Sequence, residues 1–379
     1  MKSKANSNSF YFIILLIINI GYFQFFAFNA IPREIRIISG FGSILIIAVF
    51  LIVKYIYGNT DEIKKRFALP SILFIVAMLL STIVSKAEHH QSFALSIWIS
   101  RGIFFYLLYF FLHAYKFDRQ TIEKVVLSIG LITIVFFYIQ TIIYPTQIFD
   151  VRMTIDRGTL RLFLPSMGYT ILAYFYFLNR YFKDNKLLDV IIVILALSIF
   201  ILQATRQLIA SLVLLTILNL FRSKEVKSRS LIIFLLTIGM GALVIVFYDL
   251  FVEIFAVSKS QAGDTKESIR SMAISFFLND FQPSTSAYIL GNGEGHQASP
   301  YGMKLRFLQL SKGFYLSDIG IVGDYVKYGI LFVIAALIML IKFLTIKVPR
   351  EYEYLRYFVY LSLFTLFTSR GIFGAPNII

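Results

Sequence analysis

Phe67-Ala68-Leu69-Pro70-Ser71-Ile72-Leu73-Phe74-Ile75-Val76-Ala77-Met78-Leu79-Leu80-Ser81-Thr82-Ile83-Val84 contains no charged residue, and Lys64-Lys65-Arg66 stands directly before it. A run of roughly 20 predominantly apolar residues is what a helix needs to cross the hydrocarbon core of a bilayer. The pattern recurs through the chain. Similar blocks fall near 10–30, 38–57, 93–114, 121–143, 160–181, 187–204, 207–221, 230–251, 317–341 and 354–372. The expectation is an all-α polytopic integral membrane protein with about eleven transmembrane helices. It forms one transmembrane domain over residues 1–379. Of the 379 residues, 58% are hydrophobic, against about 45–50% in a soluble domain.

Three details qualify the blocks. Met1-Lys2-Ser3-Lys4 before an apolar run imitates a signal peptide, but the run continues from Phe10 to about Ala30, longer than a signal peptide's apolar region. It reads as the first transmembrane helix. Pro165 lies inside the sixth block and predicts a kink there. The short block 207–221 is separated from its predecessor only by Thr205-Arg206, which predicts a tight helical hairpin.

The formal charge is +15. In a membrane protein such an excess reports orientation before it reports nucleic acid, because Lys and Arg accumulate in short cytoplasmic loops. With the N-terminus cytoplasmic, every second loop is short and basic. That orientation places residues 252–316 outside as one large extracytoplasmic loop, inserted before the penultimate helix. The inner cations are mostly lysine, whereas the outer ones are mostly arginine. Arginine offers a planar fork of donors that matches phosphate or carboxylate. Outward arginines therefore point to a bound anionic substrate, with contact to anionic headgroups as the plainer alternative. No internal repeat or low-complexity segment is visible. With no cysteine in the chain, disulfides and thiolate metal sites are excluded.

Several residues carry candidate chemistry. Arg206 opens the second helix of the tight hairpin, where an interfacial anchor is the bland alternative. Arg152, Arg157 and Arg161 crowd one loop with only Asp150 and Asp156 against them, a surplus suited to a diphosphate or an acidic sugar. Asp264-Thr265-Lys266-Glu267 has the form of a capping box. Ile269, Met272, Ala273, Phe276 and Phe277 then recur at helical spacing, which predicts an amphipathic helix bearing Arg270. Gly291-Asn292-Gly293-Glu294-Gly295 lacks the context of a nucleotide loop and reads as a flexible turn whose backbone can approach a ligand. His296 follows it as a candidate general base; the four histidines lack metal-ligand spacing, so no metal is expected. Lys304 and Arg306 form a basic stretch. Asp318 stands at the mouth of the tenth block, placed to accept a hydroxyl proton or to pair with Lys327 or Arg270.

On these residues the chain resembles the O-antigen polymerase and O-antigen ligase superfamily of bacterial membrane glycosyltransferases. Thr205-Arg206-Gln207 is similar to the family's Ser-Arg-Gly helix start. Arg270 followed by Ile289-Leu290-Gly291-Asn292-Gly293 resembles its loop helix and Gly-x-Gly turn. Tyr315-Leu316-Ser317-Asp318-Ile319-Gly320, running to Tyr328-Gly329-Ile330-Leu331, resembles the entry to its late transmembrane helix. Asp318 stands where many ligases have histidine, a departure that favours a polymerase. The resemblance implies a GT-C-like fold in the bacterial cytoplasmic membrane. It also implies a metal- and cofactor-independent transfer from an undecaprenyl-diphosphate-linked oligosaccharide. Arg206 and Arg270 would attend the diphosphates, and Asp318 or His296 would act as base. Arg152, Arg157, Arg161, Lys304 and Arg306 would hold the glycan and its phosphates. A chain-length regulator and a flippase are the implied partners. A ligase and a lipid-linked oligosaccharide flippase or transporter are the rival expectations.

Overall fold

The computed structural model describes residues 5–21, 31–57, 66–156, 159–164, 166–203, 206–222 and 269–366. Helices dominate: α1 (Ala5–Gly21), α2 (Arg33–Tyr57), α3 (Ala68–His89), α4 (Phe93–Ser100), α5 (Leu107–Ala114), α6 (Arg119–Ile142), α7 (Met167–Asp184), α8 (Leu187–Leu202), α9 (Arg206–Arg222), α10 (Ile269–Ser275), α11 (Thr285–Leu290), α12 (Pro300–Lys312), α13 (Gly320–Thr345) and α14 (Glu353–Thr365). Among the described residues, five helical stretches are long and apolar enough to cross a membrane: Ile38–Tyr57, Ala68–His89, Phe93–Ala114, Arg119–Ile142 and Gly320–Thr345. Ser9–Ile18, Leu187–Leu202 and Gln207–Arg222 are shorter apolar helices. The protein is therefore an α-helical protein with membrane-spanning character. The expected span 230–251 and the capping box at 264–267 lie outside the described residues, as do residues 22–30 and 367–372 of the first and last expected spans.

The chain forms two compact units. The first takes residues 1–125, 267–346 and 365–379. Here α3 packs chiefly along α13, α1 along α2, and α11 against both α3 and α13. Its fourth block is helical from Phe93 to Ala114, but α4 and α5 are joined by a tighter 3-10 stretch, Arg101–Tyr106. Ser92 starts α4 by accepting the Leu95 N–H on its side chain at 3.3 Å, the usual service of a serine at a helix N-cap. Between α10 and α13 the chain builds a helical cap. Ala273, Phe277, Phe281, Tyr301, Leu305, Leu308, Phe314, Leu316, Ile319 and Val326 form its core. Ser284 and Ser299 cap α11 and α12 through their side chains, Pro300 occupies the first turn of α12, and Gly313 ends it in the left-handed conformation. The expected amphipathic helix is present as α10, which opens into a π turn at Phe276–Asp280.

The second unit takes residues 126–266 and 347–364. It corrects one expectation. Residues 160–164 do not begin a membrane helix: Met153–Asp156 (β1) pairs antiparallel with Thr159–Leu162 (β2), Met153 opposite Leu162. The alternating side chains of Thr154-Ile155 and Thr159-Leu160 suit a strand face. The helix starts at Met167; Pro165, where a kink was expected, lies outside the described residues. Helices α7 and α8 then form a hairpin through Asn185, which is left-handed (φ 54°). Arg180 clamps the fully buried Asp189 across it, its Nε at 2.9 Å from Oδ2 and its terminal nitrogen on Oδ1. Arg180 thus holds the hairpin together.

Candidate functional site

A membrane-length helix that breaks in its middle must find new partners for the backbone groups it frees, because lipid supplies none. Helix α13 breaks at Gly329, with φ 77° and ψ −174°. In an unbroken helix the carbonyls of Val326 and Lys327 would accept from Ile330 and Leu331. Here the Val326 carbonyl accepts the Asn292 N–H at 2.9 Å and the Lys327 carbonyl accepts the Gly293 N–H at 2.7 Å. The Gly-x-Gly turn therefore replaces the missing turn of helix. This overturns its reading as a loop that approaches a ligand: its backbone approaches Gly329. A Cβ on Gly291 would lie 2.4 Å from the Gly329 nitrogen, and one on Gly329 would lie 2.4 Å from the Ile289 carbonyl oxygen. Both glycines also have positive φ, so both are required by conformation and by space.

Two buried amides hold the turn in place. Asn292 donates from Nδ2 to Gln282 Oε1 at 2.7 Å and to the Val326 carbonyl at 3.1 Å. Its Oδ1 is thereby turned toward His89 Nε2, 2.9 Å away. Gln91, fully buried, donates to Ser96 Oγ and to the Glu294 carbonyl, both at 2.8 Å. Its Oε1 accepts the His296 N–H at 2.8 Å and the Ser299 hydroxyl at 2.6 Å. Each amide uses both donors and its acceptor, the condition for burying such a group without penalty. Neither was singled out from sequence. The only available signal was an amide placed just after a membrane-length helix and another inside a glycine run.

The Asn292 contact fixes the chemistry of His89. An amide oxygen only accepts, so Nε2 carries the proton and neutral His89 keeps its lone pair on Nδ1. The ring stacks on Tyr301 at 4.0 Å and 9°, and Lys304 sits over the neighbouring Phe281 ring at 5.0 Å. A nitrogen base oriented by a fixed acceptor is the arrangement used for general base chemistry. His296 is the converse. Its Nδ1 accepts the Ala298 N–H at 3.1 Å, so the neutral ring carries its proton on Nε2 and has no free lone pair. Burial, with Glu294 nearby, raises the Tyr301 hydroxyl above the usual tyrosine range, so it remains a neutral phenol. It donates to the Gly293 carbonyl at 3.2 Å.

Ionisable groups stand just ahead of the break in α13 and around Glu294. Asp324 is buried (3%) and pairs with Lys327 at 3.4 Å. Tyr328 donates to Glu294 at 2.8 Å. Arg101, whose guanidinium lies 4.3 Å over the Trp98 ring and donates to the Trp98 carbonyl at 2.7 Å, interacts electrostatically with Glu294. Intramembrane ionisable residues of this kind mark functional positions by default.

The residues singled out from sequence are distributed over both units. Arg270 on α10 and Lys304 and Arg306 on α12 are exposed in the first unit. Asp318 is exposed too, in a 3-10 turn two residues before α13, where it accepts the Ser317 hydroxyl at 3.0 Å. Lys327, considered as its partner, is bound to Asp324 instead. In the second unit, Arg152 and Arg161 converge on the Phe163 ring at 5.3 and 5.5 Å. Arg161 lies in β2 and Arg152 directly before β1. Arg157 lies outside the described residues. Arg206 is the first residue of α9, and its side chain lies outside the description. Among known proteins, no family model matches this chain, and neither a curated protein nor a solved structure is similar to it.

Proposed function

We propose that this protein is a polymerase of undecaprenyl-diphosphate-linked oligosaccharide repeat units, working at the outer face of a bacterial cytoplasmic membrane. Its product would be an O-antigen, a capsule or an exopolysaccharide. The observation that carries the reading is the cap over residues 269–319. It is anchored to a broken membrane-length helix, meets the oriented His89–Asn292 pair with Lys304 near the imidazole, and carries Arg270 and Arg306 exposed. The full topology in this reading is the GT-C-like one expected above, with about eleven spans.

In the reaction, a hydroxyl oxygen of the incoming unit bonds to the anomeric carbon of the donor glycan. The bond from that carbon to the diphosphate oxygen breaks, and the diphosphate leaves with the electron pair. The hydroxyl proton passes to a base. His89 Nδ1 suits that task better than His296, whose lone pair is taken, and Asp318 is the second choice. Developing charge on the diphosphate calls for preorganised cations, the role assigned to Arg206 and Arg270. Arg152, Arg157, Arg161, Lys304 and Arg306 are assigned to the glycan and its phosphates. One observation favours a second reading. A broken membrane helix with a buried Asp324–Lys327 pair is also how transporters build midplane sites, which keeps a lipid-linked oligosaccharide flippase in view.

Deleting the gene and examining undecaprenyl-linked intermediates separates the readings. Polymerase loss leaves single repeat units on the outer face, ligase loss leaves long lipid-linked chains, and flippase loss traps units inside. Preserved long chains would end the polymerase reading. Within it, His89→Gln keeps a donor toward Asn292 but removes the imidazole. It should accumulate normally and make no polymer; normal polymer would remove His89 from the reaction.

A further inference from the structure

Helix α12 is apolar on two opposite sides, and the fold uses only one. With about 3.6 residues per turn, Tyr301, Leu305 and Leu308 share the side buried in the cap core. Met303, Phe307 and Leu310 fall on the other side, and they are 57%, 65% and 74% exposed. Lys304 borders this second stripe along one edge and Arg306 along the other, both exposed. Ile269 of α10, also exposed, lies beside Gly313 at the end of α12 and extends the patch; its neighbour Arg270 adds a further cation. A helix facing water on that side would carry polar residues there.

The level of α12 relative to the membrane is set by its contacts. His89 is the last residue of the membrane-length helix α3, and its ring stacks on Tyr301 in the first turn of α12. Phe314, Leu316 and Ile319, which lead into membrane-length α13, share a core with the buried side of α12. The helix therefore starts where one span ends and is followed within a few residues by another. At that level the surroundings are headgroups and the first acyl carbons. An amphipathic helix with an apolar stripe edged by Lys and Arg lies in the plane of such an interface and favours anionic lipid.

We propose that the Met303–Phe307–Leu310 face of α12, edged by Lys304 and Arg306, is a docking surface for anionic phospholipid headgroups. The apolar stripe enters the headgroup–acyl boundary while Lys304 and Arg306 take lipid phosphates, which gives these two residues to lipid in place of the glycan role proposed above. Docking would tether the cap and so steady the Gly-x-Gly turn that patches the α13 break. The proposal stands whether or not the protein is a polymerase, because it requires only bulk lipid.

The chain contains no cysteine, so a single label can be placed cleanly. Phe307→Cys carrying a polarity-sensitive fluorophore would be reconstituted, as the full-length protein, in vesicles of phosphatidylcholine with or without phosphatidylglycerol and without any lipid-linked glycan. Gln297→Cys, at an exposed polar position, serves as the reference. The label at 307 should emit to the blue of the reference and be quenched at least about twofold more by shallow spin-labelled lipid. Phosphatidylglycerol should strengthen the effect. Arg306→Glu, a substitution at an exposed position, should weaken it, as should salt. Emission and quenching equal to the Gln297 label would overturn the proposal. So would indifference to phosphatidylglycerol. Quenching that grows with protein density rather than with labelled lipid would assign the face to a second copy of the chain instead.

Discussion

Gly329→Ala puts the central claim, that the Gly-x-Gly turn patches a broken helix, to a quantitative test. At φ 77° and ψ −174°, a non-glycine residue suffers backbone strain of roughly 1–3 kcal/mol. The new Cβ would also lie 2.4 Å from the Ile289 carbonyl oxygen and 2.4 Å from the Leu290 carbonyl carbon. Both are backbone atoms, so no rotamer change relieves the contact. The turn must retreat, opening the bonds from Asn292 and Gly293 to the Val326 and Lys327 carbonyls. Each is worth about 1 kcal/mol net, and more if its carbonyl stays buried and unmet. The total is about 3–6 kcal/mol, a large share of the roughly 5–15 kcal/mol that stabilises an ordinary domain. In detergent, thermal unfolding should fall by about 10 °C, and proteases should cut within 291–299 before the rest of the chain. Gly42→Ala is the internal control. Nothing lies within 4 Å of a Cβ there, and alanine in a helix is favoured by up to about 1 kcal/mol, so that variant should melt at or above wild type. Gly291→Ala should match Gly329→Ala, and the double variant should lose little more than either single one, since both break one contact. A Gly329→Ala protein that melts with wild type and resists cleavage at 291–299 would refute the reasoning.

Other outcomes follow from the same network. Gln91→Leu keeps the volume but strands the partners of four hydrogen bonds; a loss of about 3 kcal/mol or more is expected in denaturant unfolding, and a loss under about 1 kcal/mol would show that the turn is held by other means. Asp324→Asn should destabilise strongly by leaving Lys327 uncompensated, and Asp324→Asn combined with Lys327→Met should recover much of that loss, an ordering that thermal melts can check. The raised Tyr301 hydroxyl makes a pH prediction. Its stabilising contribution is complete below the unfolded tyrosine value of 10.0 and is lost as pH rises toward the higher folded value. Tyr301→Phe should therefore flatten the stability curve above about pH 10; an unchanged alkaline slope would contradict it.

The membrane-spanning character was legible because it depends on composition in windows, and a charge-free run such as Phe67–Val84 has few alternatives once water is unavailable to its backbone. Arg270 on a short amphipathic helix was legible for a similar reason, from spacing alone. The hairpin at Met153–Leu162 was missed because an apolar window does not distinguish alternating strand residues from the start of a span. His89 and Gln91 were missed because their roles depend on Asn292, Glu294, His296 and Ser299, some 200 positions away in the chain. No local pattern reports such pairings.

By itself the sequence determined that this chain is helical and membrane-spanning, and that it places a polar, arginine-bearing segment late. Those properties are sums over local residues, set by hydrocarbon thickness and helical periodicity. Only the tertiary structure decided what the glycine run is for. Gly291, Asn292 and Gly293 look like a flexible turn until Gly329 is seen to break α13 against them. The reason is backbone accounting. Two carbonyls freed inside an apolar helix must find donors, and which N–H groups reach them is decided by how distant segments pack.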